Sequence, residues 1–268
     1  MPEKNSAWEC LELIRNKNRP TAIDYIPLIF GEFIELHGDR HFGDDKAIRG
    51  GIASFEGVPV TVICQVKGRN LSENKNTNFA MPHPEGYRKA MRLASQAEKF
   101  HRPVICFVDT PGAFCGVDAE KRGQGEAIAQ SLYLFSKLKT PVVSVILGEG
   151  GSGGALALAV CDRLAMLENA VYSVISPRGA ASILWKDAAR EKDAAEVLKI
   201  TAADCKSFGI IENIIAEPAG GAQNSPEETS ENITAFLSET LRELAKLPAD
   251  ELLRARYNKF RKIGVYSE

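Results

Sequence analysis

The sequence predicts an α/β fold with parallel strand pairing, and three observations carry that expectation. Short apolar runs such as Pro103–Val108 and Val142–Leu147 have the length and β-branched content of buried strands. Each is followed by a glycine-bearing turn and then by a stretch of helical periodicity, and repeated strand–turn–helix units favour parallel pairing. The chain has 268 residues, 44% apolar and 25% charged, the make-up of an ordinary globular protein with one large domain or two small ones.

Taken in order, residues 6–18 carry Trp8, Leu11 and Ile14 at helical spacing, and Arg19-Pro20 ends that helix. Tyr25–Leu36 is apolar with helical spacing and reads as a second helix. Asp39–Gly51 reads as a glycine-rich loop. Ile52–Phe55 and Val58–Val66 flank Glu56-Gly57 as a hairpin, with Pro59 near a strand start, where it is tolerated. Lys67–Pro84 is polar and without period, so it reads as a long loop in which Lys67, Arg69 and Lys75 either meet an anion or simply form a solvated charged surface. Glu85–Phe100 is a helix, Pro103–Val108 a buried strand, and Asp109-Thr110-Pro111-Gly112-Ala113 a turn at that strand's end, where α/β sheets place their ligands. Residues 120–138 form a helix, with Gly123 and Gly125 near its start. Thr140–Leu147 is a strand, 148–154 a glycine turn, and the Ala/Leu run beyond it a helix. Leu164–Leu167 and Val171–Ile175 are short strands, and Ser176-Pro177 opens a helix through Trp185, proline being favoured at a first helical position. Residues 190–208 read as helical, Ile210–Ile215 as a last strand, Glu217–Glu228 as a connector and Asn232–Leu247 as an amphipathic helix before a basic helical tail.

The net charge of −2 gives no electrostatic reason to expect nucleic acid or an acidic membrane surface. No apolar run approaches the ~20 residues of a membrane span, and MPEKNSAWEC lacks a signal-peptide core. The six cysteines are scattered without a C-x-x-C pair, which favours a reduced, cytoplasmic setting with mostly buried thiols and argues against zinc.

The densest chemistry lies at Gly148–Gly154, with five glycines in seven residues. A strand feeding a helix start lines up free N–H groups at the positive end of the helix, suited to a phosphate or a developing oxyanion. Three motifs overlap there. Gly148, Gly150 and Gly153 satisfy the dinucleotide fingerprint, with Glu168 downstream, although several elements precede it where the fingerprint normally opens its domain. Gly150, Ser152 and Gly154 satisfy the G-x-S-x-G elbow, but all four histidines (His37, His41, His83, His101) precede Ser152, which excludes the α/β-hydrolase order and leaves only a convergent triad. The third reading is a bare oxyanion hole with main-chain donors from this turn and from Gly112. It fits best. Close packing with glycine as a spacer is the alternative. DTPG at 109–112 has no accompanying P-loop, so a GTPase reading is discarded.

The ordered segments DKAIRGGIA (45–53), NFAMPHPEGYRKA (78–90), DTPGAF (109–114), KRGQGEAIA (121–129), GEGGSGGALA (148–157), YSVISPRGAASILWKD (172–187) and EPAGGAQ (217–223) resemble the carboxyltransferase α subunits of bacterial acetyl-CoA carboxylase. The resemblance runs from about Arg19 to the C-terminus; the N-terminal region is shorter than in many such subunits. It implies a crotonase-like fold, a spiral of repeated β-β-α units with flanking helices. A helical lead-in at 1–24, a carboxyltransferase domain at 25–223 and a C-terminal helical segment at 224–268 are then expected.

The resemblance further implies an α2β2 assembly with a β subunit of the same fold. That assembly serves a biotin carboxyl carrier protein and a biotin carboxylase, and moves a carboxyl group from carboxybiotin to acetyl-CoA to give malonyl-CoA for fatty-acid synthesis. The α subunit would cradle biotin and hold no metal. On these positions, the amides of Gly153 and Gly154, with Gly150 and Gly151 beside them, would face the ureido oxygen of biotin. Gly112 and Ala113 would add substrate contacts, and Arg122 and Arg178 would hold the migrating carboxylate as bidentate partners. A crotonase-type assembly subunit with purely structural glycines is the competing expectation.

Overall fold

The computed structural model describes residues 5–264. Strand formation is dictated where β-branched and aromatic residues run together. β1 (Phe33–Glu35), β2 (Ile48–Phe55), β3 (Val58–Gln65), β4 (Val104–Thr110), β5 (Val142–Gly151), β6 (Arg163–Leu167), β7 (Val171–Ser173) and β8 (Asn213–Ile215) make one sheet of order β1-β2-β3-β4-β5-β6-β8, with β7 on the far end of β5. β1, β2 and β3 are antiparallel and every later pairing is parallel. Every residue of β4 is buried, as expected of a strand covered on both faces.

The helices are α1 (Ala7–Ile14), α2 (Ala22–Ile29), α3 (Leu71–Asn76), α4 (Pro84–Lys99), α5 (Val117–Lys121), α6 (Gln124–Lys137), α7 (Ser152–Ala159), α8 (Pro177–Trp185), α9 (Glu191–Leu198), α10 (Ala202–Ser207), α11 (Pro226–Leu244) and α12 (Ala249–Arg261). The crossover helices between strands added in the order β3-β4-β5-β6 lie side by side, α4 packing on α6 and α6 on α7. α2 and α11 pack on each other, α11 lying against β5 and β8. Ile233, Leu237 and Leu244 of α11 join the same core as Val143, Val145 and Ile146.

Several elements differ from the sequence expectation, each for a local reason. α2 stops at Ile29, and residues 31–36 peel away to pair with β2 through Gly31 N to Ser54 O (2.8 Å) and Leu36 N to Gly50 O (2.9 Å). This edge strand fits because Gly51 carries no side chain; a Cβ there would stand 2.1 Å from the Ile34 carbonyl oxygen. Gly50 and Gly51, read as loop, are therefore strand positions, and β2 begins at Ile48. Within 67–84 the chain forms α3 and then a single 3-10 turn at Asn78–Ala80. The expected helix at 120–138 is split by Gly123 (φ +82), and that at 190–208 by Lys199 (φ 54). β7 stops at Ser173, β8 starts only at Asn213, and α11 begins within the expected connector, at Pro226. The parts of the end segments at 1–4 and 265–268 lie outside the described residues.

The largest departure is at the glycines. β5 does not turn at Gly148 but runs on through Gly151, outlasting β6 and pairing Glu149, Gly150 and Gly151 with Val171, Tyr172 and Ser173 of β7 while Gly150 still faces Thr110 of β4. The register between β4 and β5 slips between Val108 and Thr110. The Asp109 carboxylate fills that bulge, accepting the Glu149 N–H at 2.9 Å and lying 3.2 Å from Lys67 Nζ. Gly148 is glycine because a Cβ would come within 2.8 Å of that carboxylate.

A buried clamp fastens α12 to this core. Arg256, 1% exposed, grips Asp162 at 2.8 and 2.7 Å and also donates to the carbonyls of Phe135, Leu138 and Thr140. Asp162 in turn accepts the Val142 N–H at 2.8 Å, at the start of β5. Arg256→Met should lower unfolding free energy by about 3–5 kcal/mol, because it strands a buried carboxylate. Urea unfolding of the variant beside the parent measures it.

Candidate active site

The site is a corner where two main chains touch. β4 ends in Pro111-Gly112-Ala113, and β5 ends in Gly151 and hands over to α7. A Cβ on Gly151 would stand 2.1 Å from the Pro111 carbonyl oxygen, and one on Gly154 would stand 2.5 Å from the Ala113 nitrogen. Gly150 is equally constrained, with Tyr172 Cδ2 at 2.9 Å from its Cβ position. These three glycines are buried spacers that let the turns meet. Gly153 differs: its Cβ position sees only Ile128, at 3.7 Å, and the residue is half-exposed. The two glycine turns expected to converge do converge. Gly150 and Gly151, expected in a turn, lie in the β5 ladder instead.

The N–H groups of the first turn of α7 have no intrahelical acceptor, and no side chain caps them. Ala113, half-exposed, donates its N–H to no acceptor among the described residues. The flanking peptides are tied down. Gly112 N donates to Thr110 Oγ1 (3.1 Å) and Phe114 N to the Pro82 carbonyl (3.0 Å).

Ser152 has φ 50 at the strand-to-helix turn, the strained posture of a nucleophile elbow. The cleft beneath it is lined by Pro111, Glu149, Val171, Ser173, Ile175 and Ser176, together with apolar neighbours, and no histidine or lysine is among them. Among the described residues Glu149 is the one titratable side chain in that lining, so Ser152 lacks the histidine that a hydrolase triad requires. The dinucleotide alternative loses its loop as well, since Gly148 and Gly150 sit inside a paired strand.

Arg122 and Arg178 have different surroundings. Arg122, at the break between α5 and α6, donates Nε to Glu85 Oε1 at 2.7 Å and Nη2 to Glu85 Oε2 and His83 Nδ1, both at 3.3 Å, while its guanidinium lies over the Phe42 ring. The Glu85 bond raises the Arg122 pKa above its usual value. Burial alone would raise the Glu85 carboxyl, yet Arg122 and Arg88 hold it below its ordinary value. His83 stacks on Phe114 at 4.1 Å, so this cluster braces the loop that follows Ala113. Arg178 is exposed on α8 and, among the described residues, its side chain makes no hydrogen bond or ion pair. Of the loop cations, Lys67 is engaged by Asp109, Arg69 pairs with Asp24, and Lys75 is exposed on α3.

Two features escaped sequence reasoning. Asn78, Phe79 and Ala80 all have positive φ (51, 56 and 61), a left-handed turn costing about 1–2 kcal/mol per residue. Only Asn78 signals it by type. Asp39, through contacts rather than motif, is the anchor of the Arg88 side. Burial pushes its pKa up, but the His41 N–H, Arg88, and the Phe42 and Gly43 N–H groups bring it down to about 2.

The fold is that of crotonase-type carboxyltransferases. It is similar to transcarboxylase 12S, with a TM-score of 0.68 at 19% identity over 90% of this chain. This chain spans about half (46%) of that longer chain. The family model described as acetyl co-enzyme A carboxylase carboxyltransferase-like matches residues 2–264. The acetyl-coenzyme A carboxylase carboxyl transferase subunit alpha of Clostridium botulinum (strain Eklund 17B / Type B) is 59% identical over 261 residues, covering 97% of this chain and 95% of the relative. A longer Clostridium tetani relative, named for subunits beta/alpha, is 54% identical over 99% of this chain and 46% of its own length. The chain belongs to the acetyl-CoA carboxylase carboxyltransferase α-subunit family.

Gly154→Ala should lose several kcal/mol, because its Cβ has only main chain to meet, whereas Gly153→Ala should melt close to the parent; differential scanning calorimetry of both variants checks this. Acid should loosen the brace. The folded pKa of Asp39, about 2, lies below the ~3.9 of an unfolded aspartate. Its stabilisation is therefore complete above pH ~4 and is withdrawn as pH falls towards 2. The stability deficit of Arg88→Gln relative to the parent should shrink over that interval in urea titrations.

Proposed function

We propose that this chain is the α half of an acetyl-CoA carboxyltransferase that moves a carboxyl group from carboxybiotin, borne on a carrier protein, to acetyl-CoA to give malonyl-CoA. One observation carries the site assignment: half-exposed Ala113 and Gly153 bring uncapped amides together across the Gly112–Gly154 contact. Two N–H groups at a helix's positive end suit an oxygen that gains charge during reaction. Family membership supports biotin as the group received, and the biotin supplies the carboxyl carrier chemistry.

The chain's own part is main-chain donation. Ala113 and Gly153, with Gly154 behind, would donate to the ureido oxygen, and Gly150 and Gly151 would shape the floor. A pair of such donors needs no catalytic side chain. Arg178, exposed on α8 one residue beyond Pro177 of the cleft lining, is the better of the two guanidinium candidates for the migrating carboxylate, since Arg122 is already engaged by Glu85.

Exposed Val174 (78%), just past β7, Ile183 (72%) and Leu184 (55%) of α8 and Val197 (60%) of α9 are apolar side chains of the kind that subunits cover. We assign that cover to a β subunit in an α2β2 assembly. The tetani relative, named for both subunits, supports that pairing. The carrier protein, a biotin carboxylase and a cytoplasmic setting complete the proposal. Among the described residues no helix is long and apolar enough to cross a membrane.

The test is co-purification with the β subunit, followed by carboxyl transfer from malonyl-CoA to biotin. Ser152→Asp places a carboxylate at the first turn of α7, where it competes for the same amides; asparagine and aspartate both tolerate a positive φ. The aspartate variant should lose about 100-fold in kcat while the complex still forms, and Ser152→Asn should lose far less. Undiminished turnover in Ser152→Asp would favour a purely structural corner.

A further inference from the structure

We infer that Thr110 and Gln124 are positioning residues that fix the direction of the Ala113 amide. The inference rests on the oxyanion reading above. Neither side chain reaches the cleft: Thr110 is fully buried and Gln124 is 3% exposed. Both instead hold main chain on either side of Ala113.

Thr110 is the last residue of β4. Its Oγ1 lies 2.8 Å from the Gly112 carbonyl oxygen and 2.6 Å from the Ala80 carbonyl oxygen, and accepts the Gly112 N–H at 3.1 Å. The Gly112 carbonyl and the Ala113 N–H belong to one trans peptide and point in opposite directions. Holding the carbonyl inward on Thr110 therefore aims the N–H outward. The single hydroxyl hydrogen is shared between the Gly112 and Ala80 carbonyls, so the same contact also ties in the left-handed turn at Asn78–Ala80, whose strain persists only where surrounding contacts over-determine it.

Gln124 is the first residue of α6. Its Nε2 donates to the Pro82 carbonyl at 2.9 Å and to the Phe114 carbonyl at 2.8 Å, bridging the two loops that Phe114 N and Pro82 O already join. Two carbonyl acceptors fix the orientation of the side-chain amide, since Oε1 turned towards them would repel. Oε1 is consequently buried without a partner, a desolvation penalty accepted in exchange for the two donations. With peptides 111–112, 113–114 and 114–115 all tethered, the peptide bearing the Ala113 N–H has no freedom to flip. A donor aimed before the charge appears needs no reorganisation when it does.

The test uses the complex of this chain with its β subunit, with malonyl-CoA and free biotin as probes. Thr110→Val keeps the shape and removes the hydroxyl; Gln124→Met keeps the length and removes the donor. Each should lower kcat by roughly 10–100-fold, short of the ~100–1,000-fold for outright loss of a donor. KM should stay within about threefold, as expected when only transition-state binding is lost. Thr110→Ser, which retains the hydroxyl, should recover most of the loss. Parental kcat in Thr110→Val, equal losses in the valine and serine variants, or losses that track a fall in melting temperature would each overturn the inference. Ser152→Asp in the same assay separates the two levels. If it is impaired while Thr110→Val is not, only the positioning role fails; if both match the parent, the oxyanion reading fails with it.

Discussion

The structure depends on one contact, main chain against main chain where β4 and β5 end. Side chains hold most protein cores together, but here their absence at Gly151 and Gly154 lets the Pro111–Ala113 turn lie directly on the start of α7. Main chain from the end of β4 thereby meets main chain at the start of α7, the contact on which the proposed oxyanion site rests. Main-chain groups held this way carry no side-chain rotamers of their own.

That contact demands support, and the surroundings supply it in layers. Asp109 fills the bulge that lets β5 outrun β4. Thr110 and Gln124 tether the turn, and beyond them His83, Glu85, Arg88, Arg122 and Asp39 form a hydrogen-bonded brace behind Phe114. Charged residues that looked like ligand hooks are thus mostly internal struts. Buried ion pairs contribute little net stability, but breaking one is costly, so they hold a geometry well. Arg178, outside this brace, keeps its guanidinium free of ion pairs among the described residues.

Strands and helices with strong periodicity were legible from sequence: β3, β4, the first half of β5, α4 and α8 fall where the patterns place them. The glycine segments were legible as important but not as shape. Glycine at 50–51 and 148–151 reads as a turn because its intrinsic freedom suits turns, whereas here the missing Cβ is used for close strand packing. β1 escaped because a three-residue edge strand has too few residues to show a period, and its pairing partner, not its own composition, makes it a strand.

The sequence by itself determined the α/β class, the family and the two stretches where main-chain donors gather, since composition, periodicity and ordered motifs are properties of the chain read in one dimension. Tertiary structure alone decided which glycines are spacers and which, Gly153, is partly exposed with room at its Cβ position. It also decided that Arg122 is spoken for by Glu85, and that Thr110 reaches Ala80, thirty residues away. Those distinctions depend on what occupies the space opposite each residue. Neighbours supplied by a distant segment leave no trace in local spacing.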